Sequence, residues 1–298
     1  MKNKTAIIIL GPTAVGKTAA AIQLAQQLQT KIISADSRQC FTELNIGVAK
    51  PTDEELKLIH HYFINSHSIH ENVNAAMFEQ LALEYTEEIF RENDKLVIVG
   101  GTGLYIKAFC EGLDEIPAVD KNIRGQIQKE YAQHGLTWLK EEIKKHDAEF
   151  HRAGEILNPQ RIMRALEVKL STGKSILSFH STQKKQREFN IIKVGLQLAK
   201  EGLHRNINTR TEQMMEHGLL HEVEQLQNFK NLNALKTVGY AELFDYLDNK
   251  ISLSEAIELI KKNTRHYAKR QMTWFKKDDS IQWIFPNDFQ QLKNITQY

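Results

Sequence analysis

Gly11-Pro12-Thr13-Ala14-Val15-Gly16-Lys17-Thr18 stands directly after the apolar run Thr5–Leu10 and opens a helical pattern. Glycines at 11 and 16 let the backbone curl so that several N–H groups point inward at a phosphate, and Gly11, Thr13, Ala14 and Gly16 form that cradle. Lys17 adds a mobile positive charge, and the Thr18 hydroxyl is placed to ligate Mg²⁺. A helix beginning at Gly16 adds its positive dipole end. Two further chemical groups follow later strands. Lys31–Ala35 runs into Asp36-Ser37-Arg38-Gln39, which puts a carboxylate at a strand mouth, where doubly wound folds bind ligands. Asp36 there either handles a nucleophile or caps the next helix. Leu96–Val99 runs into Gly100-Gly101-Thr102-Gly103, although most P-loop ATPases hold an acid after such a strand. These small residues read as a tight turn, as N–H donors close to a substrate, or as both.

The elements that must carry these groups are short β-branched runs separated by helical periodicity. Thr5–Leu10, Lys31–Ala35, Leu96–Val99, Ile191–Leu196 and Ile281–Phe285 lack polar alternation, which suits parallel strands covered on both faces. Thr18–Gln29 and Ala75–Arg91 read as helices between them, so the expectation is an α/β fold: a P-loop NTPase-like parallel sheet flanked by helices. From Ile116 to Arg187 the chain is charged and lacks apolar β-like runs. Lys121–His134, Thr137–His146 and Pro159–Ser171 read as helices there, with Gly173 as a C-terminal stop. This predicts an all-helical insertion over 116–187, between a first core part at 1–115 and the rest of the core, with basic C-terminal helices, at 188–298.

The net charge is +2 over 298 residues, which predicts no strong overall attraction to nucleic acid. Charge is nevertheless uneven. Ile260–Lys277 holds Lys261, Lys262, Arg265, Lys269, Arg270, Lys276 and Lys277 with no acid, interleaved with Tyr267, Trp274 and Phe275. That segment suits contact with phosphates and unpaired bases, or forms an amphipathic helix with aromatic core residues and solvated lysines. Cys40 and Cys110 have no partner at metal-ligand spacing and read as buried, reduced thiols. Adjacent His60 and His61 on a helix would diverge, with no third ligand nearby, so they are not expected to bind a metal. The N-terminal apolar run is too short for a signal peptide or a bilayer span, so a soluble cytoplasmic protein without membrane contact is expected. Nothing reads as a dimer seam, which points to a monomer.

Several motifs occur in order: the loop Gly11–Thr18, Asp36-Ser37-Arg38-Gln39, Gly47-Val48-Ala49-Lys50-Pro51, Val99–Tyr105, Asn158–Val168, Thr237-Val238-Gly239-Tyr240 and Tyr267–Phe275. The ordered set strongly resembles the bacterial tRNA dimethylallyltransferases, also called tRNA isopentenyltransferases. The resemblance implies transfer of a dimethylallyl group from dimethylallyl diphosphate to the exocyclic amine of the adenosine just 3′ of the anticodon. It implies that the P-loop holds a diphosphate leaving group with Mg²⁺, and that tRNA is the partner. Carried over by position, Asp36 matches the acid that takes a hydrogen bond from the amine and acts as base. Thr102 matches a threonine facing the reaction centre, and Arg210 matches an arginine reaching the diphosphate. Ser37, Gln39 and Arg161 match positions on the nucleotide side, Arg161 alternatively being a helix-surface ion-pair partner. Lys269 and Arg270 belong to the tRNA face, and the helical insertion is implied to grip the anticodon stem-loop. Val48, where threonine is usual, and Phe41, where tyrosine is common, depart from the pattern without removing a group assigned to chemistry. A small-molecule kinase, or an RNA-binding module switched by a nucleotide, would also use such a loop.

Overall fold

A computed structural model describes residues 4–181 and 184–296, the side chain of Lys121 aside. The chain forms two compact units, Met1–Glu111 with Gln186–Tyr298, and Gly112–Lys185.

The first unit is built on β1 (Thr5–Leu10), β2 (Ile32–Ser34), β3 (His61–Tyr62), β4 (Lys95–Gly100), β5 (Asn190–Leu196) and β6 (Gln282–Ile284). All pair in parallel, in the order β3-β2-β4-β1-β5-β6. β1 is central, with Ile7 opposite Val97 on one side and Ile192 on the other. Every β1 residue is buried, which explains why the strand shows no polar alternation. The order β2-β4-β1 brings three carboxyl ends side by side, so the loops after them share one edge of the sheet.

Helices pack on the sheet through small and apolar residues. α1 (Lys17–Leu28) starts from Gly16 at φ 98° and buries Ala20, Ala21, Leu24 and Ala25 against β1 and β4. α3 (Ala75–Glu92), which follows the short α2 (Asp53–Leu58), is started by Asn74, whose side chain accepts N–H bonds from Ala76 and Met77. It buries Phe78, Ala82, Thr86 and Ile89, and Phe78 stacks on Tyr105 of α4 (Gly103–Glu111) at 4.4 Å.

The second unit holds α5 (Lys121–His146), α6 (Ala148–Ala153) and α7 (Pro159–Thr172). Gly135, at φ 70° and ψ −162°, interrupts α5 between the two expected helices, and Gly173 at φ 74° ends α7. Its core joins Ile127, Leu139, Ile143, Phe150, Ile162 and Leu166. Buried Glu167 is held by Arg124 at 2.9 Å and Arg164 at 3.5 Å.

The first unit is completed by α8 (Lys200–Glu216), α9 (Leu219–Gln225), α10 (Tyr240–Leu247), α11 (Leu253–Phe275) and α12 (Phe289–Thr296). One expectation needs correcting: His60 and His61 do not share a helix. α2 ends before them, and His61 begins the edge strand β3, where it is buried and its Nδ1 lies 2.8 Å from the Ile59 carbonyl. No helix among the described residues is long and apolar enough to cross a membrane.

Candidate active site

The loop after β1 turns through positive φ at Ala14 (62°) and Gly16 (98°), the backbone form in which successive N–H groups can face an anion. Lys17 folds back to donate to the Pro12 carbonyl at 2.7 Å. Burial, and next the charge of Arg210, bring its ammonium down to about 7, against an upward pull from Asp36. Lys17 and Thr18 line a cavity of about 280 Å³ together with Gly16, Ala49, Lys50 and Arg210.

Asp36 follows β2. Its Oδ1 accepts the N–H groups of Arg38 at 2.8 Å and Gln39 at 3.3 Å. No helix follows, so the carboxylate caps a turn, and it also lines a cavity of about 120 Å³ with Thr13, Val48, Arg210 and Tyr267. Capping and access to a ligand therefore coexist in one carboxylate. Thr102, after β4, lies between the two loops. Its N–H donates to the Ala35 carbonyl at 3.2 Å, and its Oγ1 accepts the Ser37 N–H at 3.1 Å. Tyr267 of α11 also bonds to Thr102, and burial and the Asp36 charge push its phenol up to about 12.

Arg210 of α8 lines both cavities, and its Nη2 donates to the Ala49 carbonyl at 3.4 Å. Burial lowers its guanidinium from the usual range, with Asp36 opposing. The 120 Å³ cavity shares Arg38, Thr237, Val238 and Tyr267 with an open cavity of about 710 Å³, which Ser37 and Arg270 also line. The phosphate loop, the carboxylate and a large cleft are thus contiguous.

The remaining expected residues divide. The Gln39 amide is taken up by the fold: Oε1 accepts the Ser34 hydroxyl at 3.1 Å and Nε2 donates to the Ala49 carbonyl at 3.0 Å. Arg161 lies in the second unit, on α7, and forms an ion pair with Glu155. Lys269 and Arg270 are exposed, and the Arg270 guanidinium sits 5.7 Å from the centre of the Tyr267 ring. The basic segment is less uniform than its composition. Lys261 is paired with Glu212 at 3.0 Å and Glu258 at 2.9 Å, and Arg265 donates to Asn208. Phe275 is core, whereas Trp274 is exposed, so both readings of the aromatics apply to different residues. Cys40 and Cys110 are buried, and burial raises both thiols to about 12.

Three supporting contacts escaped the sequence reading. Asn206 of α8 donates to the Ala14 carbonyl of the phosphate loop at 3.1 Å. The Glu222 carboxylate on α9 accepts the N–H groups of Asn45, Ile46 and Gly47 and the Tyr240 hydroxyl, which fixes the loop that carries Ala49. Gln271 ties α11 to two of the loops. Only Gln271 left a signal, being polar on the buried stripe of an amphipathic helix.

The sequence and the fold both resemble those of known proteins. A family model described as IPP transferase matches residues 39–278. A tRNA dimethylallyltransferase of Bacteroides thetaiotaomicron is 43% identical, the alignment covering 98% of this chain and 97% of the relative. The crystal structure of the full-length tRNA isopentenylpyrophosphate transferase of Bacillus halodurans superposes with a TM-score of 0.72 at 32% identity, covering 99% of this chain and 96% of that one. A eukaryotic dimethylallyltransferase, solved acting on tRNA, gives a TM-score of 0.79 at 25% identity over 99% of this chain and 77% of its own. A family model matched over most of the chain, together with relatives aligned almost end to end, places the chain in the IPP transferase family.

Proposed function

We infer that the chain transfers the dimethylallyl group of dimethylallyl diphosphate to the exocyclic amine of the adenosine at tRNA position 37, beside the anticodon, in tRNAs reading codons that begin with U. The observation that carries this reading is Arg210, which lines both the phosphate-loop cavity and the cavity of Asp36. A diphosphate leaving group on one side and an attacking amine on the other then flank a single carbon.

Each group has a role in that displacement. The loop N–H groups, Lys17 and Arg210 take up the negative charge that grows as the carbon–oxygen bond breaks. A planar guanidinium suits the diphosphate because it can bind two oxygens at once. Asp36 orients the amine through the carboxylate edge that faces the cavity and receives the proton as the new carbon–nitrogen bond forms. An aromatic amine is a weak nucleophile, so both services matter. Thr102 supports this wall by bonding to Ser37 beside Asp36.

A single hydroxyl, Thr18, at the start of α1 and lining the phosphate cavity, fits Mg²⁺, which takes few protein ligands and completes its shell with phosphate oxygens and water. Bound there, Mg²⁺ would supply further charge stabilisation for the departing diphosphate. The target base must leave its stack to reach the carbon, and the 710 Å³ cleft bordered by Ser37 and Arg270 offers the route. Lys269 and Arg270 bind tRNA phosphates, and the helical unit with Arg161 grips the anticodon stem-loop. The protein works as a cytoplasmic monomer. Incubation with labelled dimethylallyl diphosphate and unmodified tRNA tests the reading: label is expected on position 37, and label left entirely off the tRNA would refute it.

A further inference from the structure

Helix α11 buries a polar side chain where its packing stripe calls for an apolar one. Ala256, Ile260, Ala268 and Phe275 make that stripe, and Gln271 lies among them at 7% exposure. A buried amide is costly unless both of its ends are paired. Here both are: Oε1 accepts the Thr13 N–H at 2.8 Å, and Nε2 donates to the Gly101 carbonyl at 2.9 Å. The first bond holds the phosphate loop after β1. The second holds the turn after β4, whose next residue, Thr102, bonds to Ser37 beside Asp36. The turn is fitted to this side chain, since a Cβ on Gly101 would lie 2.2 Å from Nε2.

We propose that Gln271 is a positioning residue that sets the separation between the diphosphate cradle and the wall that orients the amine. The inference rests on the transfer reaction inferred above. Neighbouring strands lie about 5 Å apart, so the loops after β1 and β2 stand about 10 Å apart, with the β4 turn between them. Gln271 spans from the first loop to that turn and fixes one against the other. It touches neither substrate and acts through Thr13 and Gly101. The same helix exposes Lys269 and Arg270, so a phosphate contact made there is made on the element that locks the loops.

The test uses the full chain with Gln271→Met, which keeps the length of the side chain and removes both bonds. Single-turnover transfer from labelled dimethylallyl diphosphate to unmodified tRNA is measured beside the dissociation constant of each substrate and the melting temperature. A misplacement of about 1 Å between reacting parts costs about 10²-fold in rate. The expected result is a folded variant whose bound-state rate falls by about that factor while each substrate's affinity stays within about threefold. A loss confined to affinity, with the single-turnover rate kept, would overturn the inference, as would an unimpaired rate. Should Gln271→Met not fold, Gly101→Ala displaces Nε2 and breaks the bond to the β4 turn from its other partner, and the same criteria apply. Wild-type protein that leaves tRNA unlabelled removes the underlying reading and this inference together. Wild-type transfer with an unimpaired variant removes this inference alone.

Discussion

Lys17 gives the site a pH dependence whose sign and size follow from its surroundings. With its ammonium brought down to about 7, roughly half of the free protein carries a neutral amine at pH 7. A diphosphate in contact favours the charged form, so binding draws in a proton. Affinity then follows the fraction of free protein already protonated, which is about 0.76 at pH 6.5 and about 0.03 at pH 8.5. Dimethylallyl diphosphate should therefore bind about 25-fold more weakly at the higher pH, a difference of about 1.9 kcal/mol. Calorimetry without tRNA, on wild type and Lys17→Met, is the assay; the ligand's own ionisation enters both proteins equally and cancels in the ratio. Repeating it at pH 7 in buffers of different ionisation enthalpy should show wild type taking up about half a proton more per ligand than Lys17→Met. Equal pH slopes in the two proteins, or equal proton uptake by them, would refute the reasoning. The same lysine acts on stability with a defined sign. Its folded-state value, about 7, lies below the ordinary 10.5, so the unfolded chain binds more protons between those values and stability rises with pH across that window.

Other outcomes follow from neighbouring contacts. In the absence of ligand, Lys17→Met should melt about 2 °C or more above wild type, most clearly below pH 7, and calorimetric scans across pH would detect it. Asp36→Asn keeps an oxygen for the Arg38 and Gln39 N–H groups but cannot take the amine proton, so single-turnover transfer should fall about 10²-fold or more while tRNA affinity by filter binding is kept. Glu222→Gln turns an amide NH₂ toward at least one of the backbone N–H donors that the carboxylate accepts and should cost about 2 kcal/mol, read as a lower urea midpoint at unchanged slope. Removing Lys269 and Arg270 together should flatten the dependence of log tRNA affinity on log salt by about 1.4, because each lost single-strand phosphate contact contributes about 0.7.

The strands that carry chemistry were legible because a strand buried on both faces leaves an unbroken apolar signature. Thr5–Leu10 and Leu96–Val99 pair as β1 and β4 at the centre of the sheet. β3 left no such mark, since His61–Tyr62 is a two-residue edge strand whose membership is decided by its neighbour β2. The interruption of α5 at Gly135 was legible from one residue that tolerates positive φ. The P-loop and Asp36 could be found because each follows a readable strand. Arg210 could not be found that way: it lies on α8, far along the chain, and only the resemblance singled it out. Glu222 and Asn206 were invisible for a related reason. An acid or amide on a polar helix looks solvated until the fold brings a distant loop of backbone donors against it.

The glycine pair that ends β4 restricts what this scaffold can become. NTP-driven engines of similar architecture place a metal-holding acid after that strand, and here position 100 has no room for one, because even a Cβ would stand 2.2 Å from the Ala35 carbonyl. Placing such an acid there would force β2 and β4 apart where their loops meet. Backbone packing thus excludes an acid at this position, and accommodating one would need coordinated changes in both strands.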